Sequence, residues 1–186
     1  DYEYDPESTL YLASTSGTTG TYKACMIRYR NALASVEPFA RGIPLGSEDR
    51  NLCFLPLSQT RVNDLYFFLY CEGQVCFANP FADLLQQFTK YHPTFVGAPP
   101  EFFQTVRNVH RSSSSGTPLR DQLGGATKLY TGTTPVSVEL LEYFQQFGAP
   151  LYEAYGMTEC CSSATWNSPS SHGTGTVGKP HPGMTI

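Results

Sequence analysis

Short apolar runs alternate along this chain with segments whose apolar residues recur at helical spacing, the pattern of an α/β protein. The runs predict strands over 9–14, 24–29, 51–57, 74–78, 94–98, 128–131 and 149–154. Between them the spacing predicts helices over 31–39, 62–71 and 83–91. A further helix opens at Pro100, a residue suited to a first turn, and carries Phe102, Phe103, Val106 and Val109 as an apolar stripe. The last helix is capped by Ser137, carries Leu140, Phe144 and Phe147 at helical spacing, and ends at Gly148. The expected architecture is a layered, mainly parallel sheet flanked by helices. The serine-rich stretch 111–118 is read as a mobile surface loop, not a domain boundary, because the same alternation resumes at Lys128.

At 186 residues the chain is long enough for one well-buried core. A net charge of −4 provides no electrostatic footprint for nucleic acid, so a bound polyphosphate needs local donors instead of a general positive field. The six cysteines form no C-x-x-C pair, and several lie inside apolar runs, where a free thiol packs as a small hydrophobe. That usage favours a reducing, cytoplasmic setting over a disulfide framework. The longest strongly apolar stretch, 65–71, is too short to span a bilayer. Arg107, His110, Arg111 and Arg120 make a mild basic cluster around the serine loop. A solvated face is its default reading, and an acidic membrane surface touched peripherally, or the phosphates of coenzyme A, are the alternatives.

Three loops carry chemistry. Thr15, Ser16, Gly17, Thr18, Thr19, Gly20, Thr21, Tyr22 and Lys23 lie between two predicted strands. Glycines at 17 and 20 let main-chain N–H groups face a ligand, hydroxyls add donors, and Lys23 adds a point charge. The spacing is not that of a Walker loop, and a flexible hairpin turn is the bland alternative. The second loop, Tyr155-Gly156-Met157-Thr158-Glu159, directly follows a predicted strand, where ligands of open α/β sheets bind. Tyr155 offers an aromatic face, Thr158 a hydroxyl, and Glu159 a hard oxygen suited to Mg²⁺. The third, Thr131-Gly132-Thr133-Thr134-Pro135, joins a strand to the capped helix and is a weak signal by itself.

In this order the three loops resemble the adenylate-forming superfamily of acyl-CoA synthetases, luciferases and peptide-synthetase adenylation domains. The first is similar to its S-G-T-T-G phosphate loop, the second to its Y-G-x-T-E motif, and the third to its G-[AG]-x-P turn. Phe54-Leu55-Pro56-Leu57-Ser58-Gln59 resembles the family's L-P-L-x-H segment, and 92–100 resembles the stretch before a helix of the long-chain synthetases. Val177-Gly178-Lys179-Pro180 with Pro182-Gly183 completes the likeness. The resemblance implies a Rossmann-like fold, with 1–186 as a central fragment of the adenylation domain that lacks the domain's N-terminal part and the C-terminal lid.

It also implies roles. Thr15, Ser16, Gly17, Thr18, Thr19, Gly20 and Lys23 would hold the β- and γ-phosphates of ATP. Gly132, Thr133 and Thr134 would line the adenine, and Tyr155 with Gly156 would cover it. Thr158 would contact the α-phosphate or carboxylate, and Glu159 would bind Mg²⁺. The implied reaction joins a carboxylic acid, of the long-chain fatty class, to ATP as an acyl-adenylate and passes the acyl group to coenzyme A. The fragment alone is expected to be inactive. Tyr22 stands where the family has proline, Ala24 where it has glycine, and Gln59 where it has histidine. A nucleotide-binding protein without turnover, or a structural remnant, is therefore kept beside the ligase reading.

Overall fold

The computed structural model describes residues 5–15, 23–57, 62–79, 83–113 and 116–186. An antiparallel hairpin opens the fold, β1 (Thr9–Thr15) pairing with β2 (Lys23–Arg28), so that Tyr11 faces Ile27 and Thr15 faces Lys23. Ala24 is an ordinary strand residue opposite Ser14, which removes the strain a left-handed alanine would carry there. Helix α1 (Tyr29–Gly42) follows directly. It starts two residues earlier than its pattern predicts and runs through Pro38. The burial of Val36, Phe39 and Ala40 on one face offsets the hydrogen bond that the proline removes.

The remaining elements build one seven-stranded sheet. Strands β3 (Arg50–Cys53), β4 (Gln74–Phe77), β5 (Phe95–Ala98), β6 (Lys128–Thr131) and β7 (Leu151–Met157) run parallel in the order β4-β3-β5-β6-β7. Helices α2 (Val62–Tyr70), α3 (Leu84–Tyr91), α4 (Pro100–Ser112) and α5 (Val138–Gln146) are the crossovers. Asp83 caps α3 through Leu85 and Gln86, and Ser137 caps α5 through Leu140, both by accepting backbone N–H bonds. Two antiparallel strands, β8 (Ser162–Trp166) and β9 (Lys179–Pro180), extend the sheet beyond β7. The sequence pattern does not announce β8, because Ser162, Ser163 and Thr165 interrupt its apolar alternation. Pairing with β7 makes it a strand.

The central strands β5 and β6 and the first half of β7 are buried on both faces, as helix-covered sheets require, while the edge strand β4 is partly exposed. Successive side chains alternate between the faces. Val96, Leu129 and Leu151 enter a core shared with Phe88, Phe103, Leu140 and Phe144 of α3, α4 and α5. Their neighbours Phe95, Tyr130 and Tyr152 enter the opposite core, with Val36 and Phe39 of α1 and Phe67 and Phe68 of α2.

At the N-terminal edge of the parallel strands sits a buried ion pair. Both Asp49 oxygens accept from Lys128 Nζ, at 2.5 and 2.6 Å. Thr94 Oγ1 donates to Asp49 Oδ1 at 2.6 Å and Gly46 N to Oδ2 at 2.8 Å. These bonds fasten the starts of β3, β5 and β6 together. Burial alone would raise the Asp49 pKa, but its bonds to Lys128, Thr94 and Gly46 hold the carboxyl below the usual aspartate range.

All six cysteines are free thiols; Cys161 is buried and the other five are half-buried. Trp166 packs against Phe39, the structural role its residue type suggests. His181 departs from expectation: beside Pro180 and Pro182 it reads as a surface group, yet it is 3% exposed. Its ring meets Trp166 edge-on at 3.8 Å, and Nε2 lies 3.2 Å from Ser163 Oγ. Burial pushes its imidazole down to about 4, from an ordinary value of 6.5. The unfolded chain therefore binds a proton below pH 6.5 that the folded chain refuses, so stability falls as pH drops from about 6.5 to 4 and then levels. The expected loss is roughly 3 kcal/mol. Urea unfolding across that range measures it, and His181→Phe, which does not titrate, should flatten the curve.

Candidate functional site

The parallel strands β5, β6 and β7 end at one side of the sheet, and a cleft of about 430 Å³ opens there. Gly97 and Ala98 of β5, Tyr130 and Thr131 of β6, and the turn residues Gly132 and Thr133 form one wall. Ala154 of β7, the run from Tyr155 to Glu159, Asp64, Ser162 and Ser163, and the buried rings of Phe39, Phe67 and Phe95 complete the lining. Among the residues expected to act together, Gly132, Thr133, Tyr155, Gly156, Thr158 and Glu159 thus share one concavity. Thr134 is exposed outside that lining.

Both glycines are demanded by the backbone around them. A Cβ on Gly132 would stand 2.5 Å from the Ala154 carbonyl oxygen, so glycine lets the turn after β6 lie against β7. At Gly156 a Cβ would stand 1.7 Å from the Ser162 carbonyl oxygen, and a register shift between Tyr155 and Gly156 lets β8 pass. The third loop is tied down from below. Glu153, buried in β7, accepts a backbone hydrogen bond from Val136; burial raises its carboxyl pKa and that bond opposes the rise.

Beyond Met157 the chain makes one 3-10 turn, Thr158–Cys160. The Cys160 thiol closes it, accepting from Met157 N at 3.2 Å and donating to Met157 O at 3.2 Å. Glu159 is left exposed, Thr158 half-buried, and Tyr155 is 46% exposed with its ring free to cover a ligand.

Ser16, Gly17, Thr18, Thr19 and Gly20 lie outside the described residues, as do Tyr22 and Gln59; Thr15 is described only as the last backbone position of β1. The strands bracketing 16–22 are informative nonetheless. Strand β1 packs against the turn that carries Glu159. Cys25 and Glu159 line one hollow, and the Cys25 thiol, raised first by burial, is raised further by the Glu159 carboxylate. Lys23 stands two positions before Cys25 in β2 and so emerges on the same face of the hairpin. Chain segments more than a hundred residues apart, β1 and the turn of Glu159, thus lie side by side.

Two cleft groups are not singled out by sequence. The Tyr130 hydroxyl and Thr131 Oγ1 are buried with no hydrogen-bond partner. Burial raises the Tyr130 phenol pKa, and Tyr152 adds to it, so the group stays a neutral hydroxyl. Unmet polar atoms are rare in folded proteins. Among the described residues no cluster of three metal-binding side chains is present. No helix among the described residues is long and apolar enough to cross a membrane.

The model of a family described as AMP-binding enzyme matches residues 2–186. A long-chain-fatty-acid–CoA ligase of Cavia porcellus is 26% identical over 220 residues, covering 96% of this chain and 32% of the relative. A 2-succinylbenzoate–CoA ligase of Enterococcus faecalis is 26% identical over 161 residues, covering 85% of this chain and 32% of the relative. The o-succinylbenzoate coenzyme A synthetase of Bacillus subtilis, solved with ATP and magnesium ion, superposes with a TM-score of 0.79 at 25% identity over 95% of this chain and 36% of that one. The chain thus spans about a third of the length of the relatives it matches.

Proposed function

The chain belongs to the AMP-binding enzyme family, and on that premise we propose that it forms the nucleotide-binding heart of an ATP-dependent acid–thiol ligase. The carboxylic acid is a long-chain fatty acid in this reading, and the acyl acceptor is coenzyme A. The observation that carries it is the convergence just described: Gly132, Thr133, Tyr155, Thr158 and Glu159 around one cleft, with β1, the hairpin partner of the strand that begins at Lys23, beside the Glu159 turn. The names of the long-chain relatives support the substrate class, as do the apolar rings of Phe39, Phe67 and Phe95 in the cleft lining.

In this reading Lys23 and the segment 15–20 hold the phosphate tail. Gly132, Thr133 and Thr134 lie along the adenine edge, and Tyr155 covers its face. Thr158 donates to the α-phosphate or the carboxylate, and Glu159 holds magnesium. Magnesium, when bound, supplies neutralisation of phosphate charge. A carboxylate oxygen of the substrate attacks the α-phosphorus as the bond to the β-phosphate oxygen breaks, giving acyl-adenylate and pyrophosphate. The sulfur of coenzyme A, losing its proton, then attacks the acyl carbon and AMP departs. No side-chain nucleophile takes part, so positioning and charge stabilisation provide the rate enhancement.

Carboxylate-dependent exchange of labelled pyrophosphate into ATP, assayed on the complete gene product, tests the proposal. Exchange that requires a fatty acid is the expected result. Nucleotide binding without exchange would establish a sensor, and the absence of both would leave only a structural role.

A further inference from the structure

We infer that Asn63 is a positioning residue for Mg·ATP, locking the carboxylate turn to the strand that enters the phosphate loop; the inference rests on the nucleotide-binding reading above. Asn63 is the second residue of α2 and is 0% exposed. Both ends of its carboxamide are used. Nδ2 donates to the Cys161 carbonyl oxygen at 2.7 Å, and Oδ1 accepts from the Tyr11 hydroxyl at 2.7 Å. A second donor, Ser35 Oγ of α1, reaches the same carbonyl at 2.8 Å. Two elements, α1 and α2, therefore meet on one peptide oxygen, and β1 joins them through the bond from Tyr11 to Asn63.

That oxygen belongs to a strained stretch. Cys161 has φ 60° and Ser162 has φ 106°, both in the region that favours glycine. Such residues persist where the surroundings over-determine them. The bonds from Asn63 and Ser35 are that determination. Glu159 stands two residues before Cys161, so its carboxylate is carried by the backbone that Asn63 holds. Tyr11 stands four residues before Thr15, the end of β1, beyond which the segment 16–22 begins. Stacking on Tyr66, with centroids 6.3 Å apart, places the Tyr11 ring, and Asn63 fixes its hydroxyl. Burial raises the Tyr11 phenol pKa, which keeps that hydroxyl a neutral donor.

The same carboxamide thus touches the element leading to the phosphates and the turn bearing the metal carboxylate, 52 and 98 positions away. A leucine would fill its volume yet let the two sides drift. Such drift would harm a ligand that bridges them, Mg·ATP, far more than AMP, which lacks the β- and γ-phosphates.

Calorimetric titration of the complete gene product with AMP and with ATP at fixed Mg²⁺ tests this. Asn63→Leu is expected to hold AMP affinity within about twofold while Mg·ATP affinity falls about tenfold. Tyr11→Phe, nearly isosteric, should weaken Mg·ATP about threefold in the same selective manner, and it carries the test if the leucine variant does not fold. Equal weakening of both nucleotides in Tyr11→Phe, or weakening of neither, overturns the positioning role. Wild-type protein that binds neither nucleotide removes the underlying reading before any variant is compared.

Discussion

Asp49→Ala is expected to lower the free energy of unfolding by about 3–5 kcal/mol, the range for a buried ion pair that loses one partner. Asp49 is 6% exposed and the Lys128 side chain 21%, so alanine leaves a partly buried cation without its carboxylate partner. Two further bonds, from Thr94 Oγ1 and Gly46 N, vanish with the carboxylate. The damage concerns fastening, because these residues begin β3, β5 and β6, far along the strands from the cleft. Chemical denaturation of the single variant and of Asp49→Leu with Lys128→Met checks the claim. The double variant should regain most of the loss, since replacing both charges by apolar groups of similar size is often neutral. A loss below about 1 kcal/mol in the single variant would place the pair among exposed ion pairs of little consequence. Acid should act in sequence. His181 removes stability between about pH 6.5 and 4. The contribution of Asp49, whose folded pKa is depressed, is present above the usual aspartate range and is lost as pH falls through the lowered value.

The second large effect concerns chemistry instead of stability. Glu159→Ala and Lys23→Ala should each reduce pyrophosphate exchange by about 10²-fold, the scale for removing one charge-stabilising group from a reacting phosphoryl centre. Both side chains are exposed, so melting temperatures should move little. A split is also expected. Because Lys23 acts through the phosphate tail, its loss should raise the KM for ATP, whereas loss of Glu159 should shift the magnesium concentration needed for half-maximal exchange. Unchanged exchange in both variants would mean that the cleft and the hairpin serve some other ligand.

Much of the fold is written in local pattern. Periodicity locates β1 to β7 and all five helices in their order, and the cap Ser137 and the first-turn residue Pro100 lie where their residue types predict. Errors occur where local pattern is silent. Strand β8 carries serine and threonine where alternation would ask for apolar residues, and only its partner β7 makes it a strand. His181 is flanked by prolines, a surface signature, but a contact with Trp166 from elsewhere in the chain buries it.

The candidate site divides likewise. Glycines at 132 and 156 are legible as turns, yet the atoms that demand them, the carbonyls of Ala154 and Ser162, emerge only in three dimensions. Asn63 offers a faint sign, a polar residue inside a run expected to be a buried apolar helix. Its partners cannot be inferred from spacing.

From the order of its residues alone the chain determines its alternation of strands and helices and the three loops with the right donors, because backbone conformation and side-chain period depend on near neighbours. Packing decided which faces those loops share, which hydroxyls remain unmet at Tyr130 and Thr131, and which side chain joins β1 to the turn of Glu159. Those outcomes depend on sheet register and on contacts between residues 50 to 100 positions apart, such as Tyr11 with Asn63 at a separation of 52 and Asn63 with Cys161 at 98. No local energy term senses a partner at that distance along the chain.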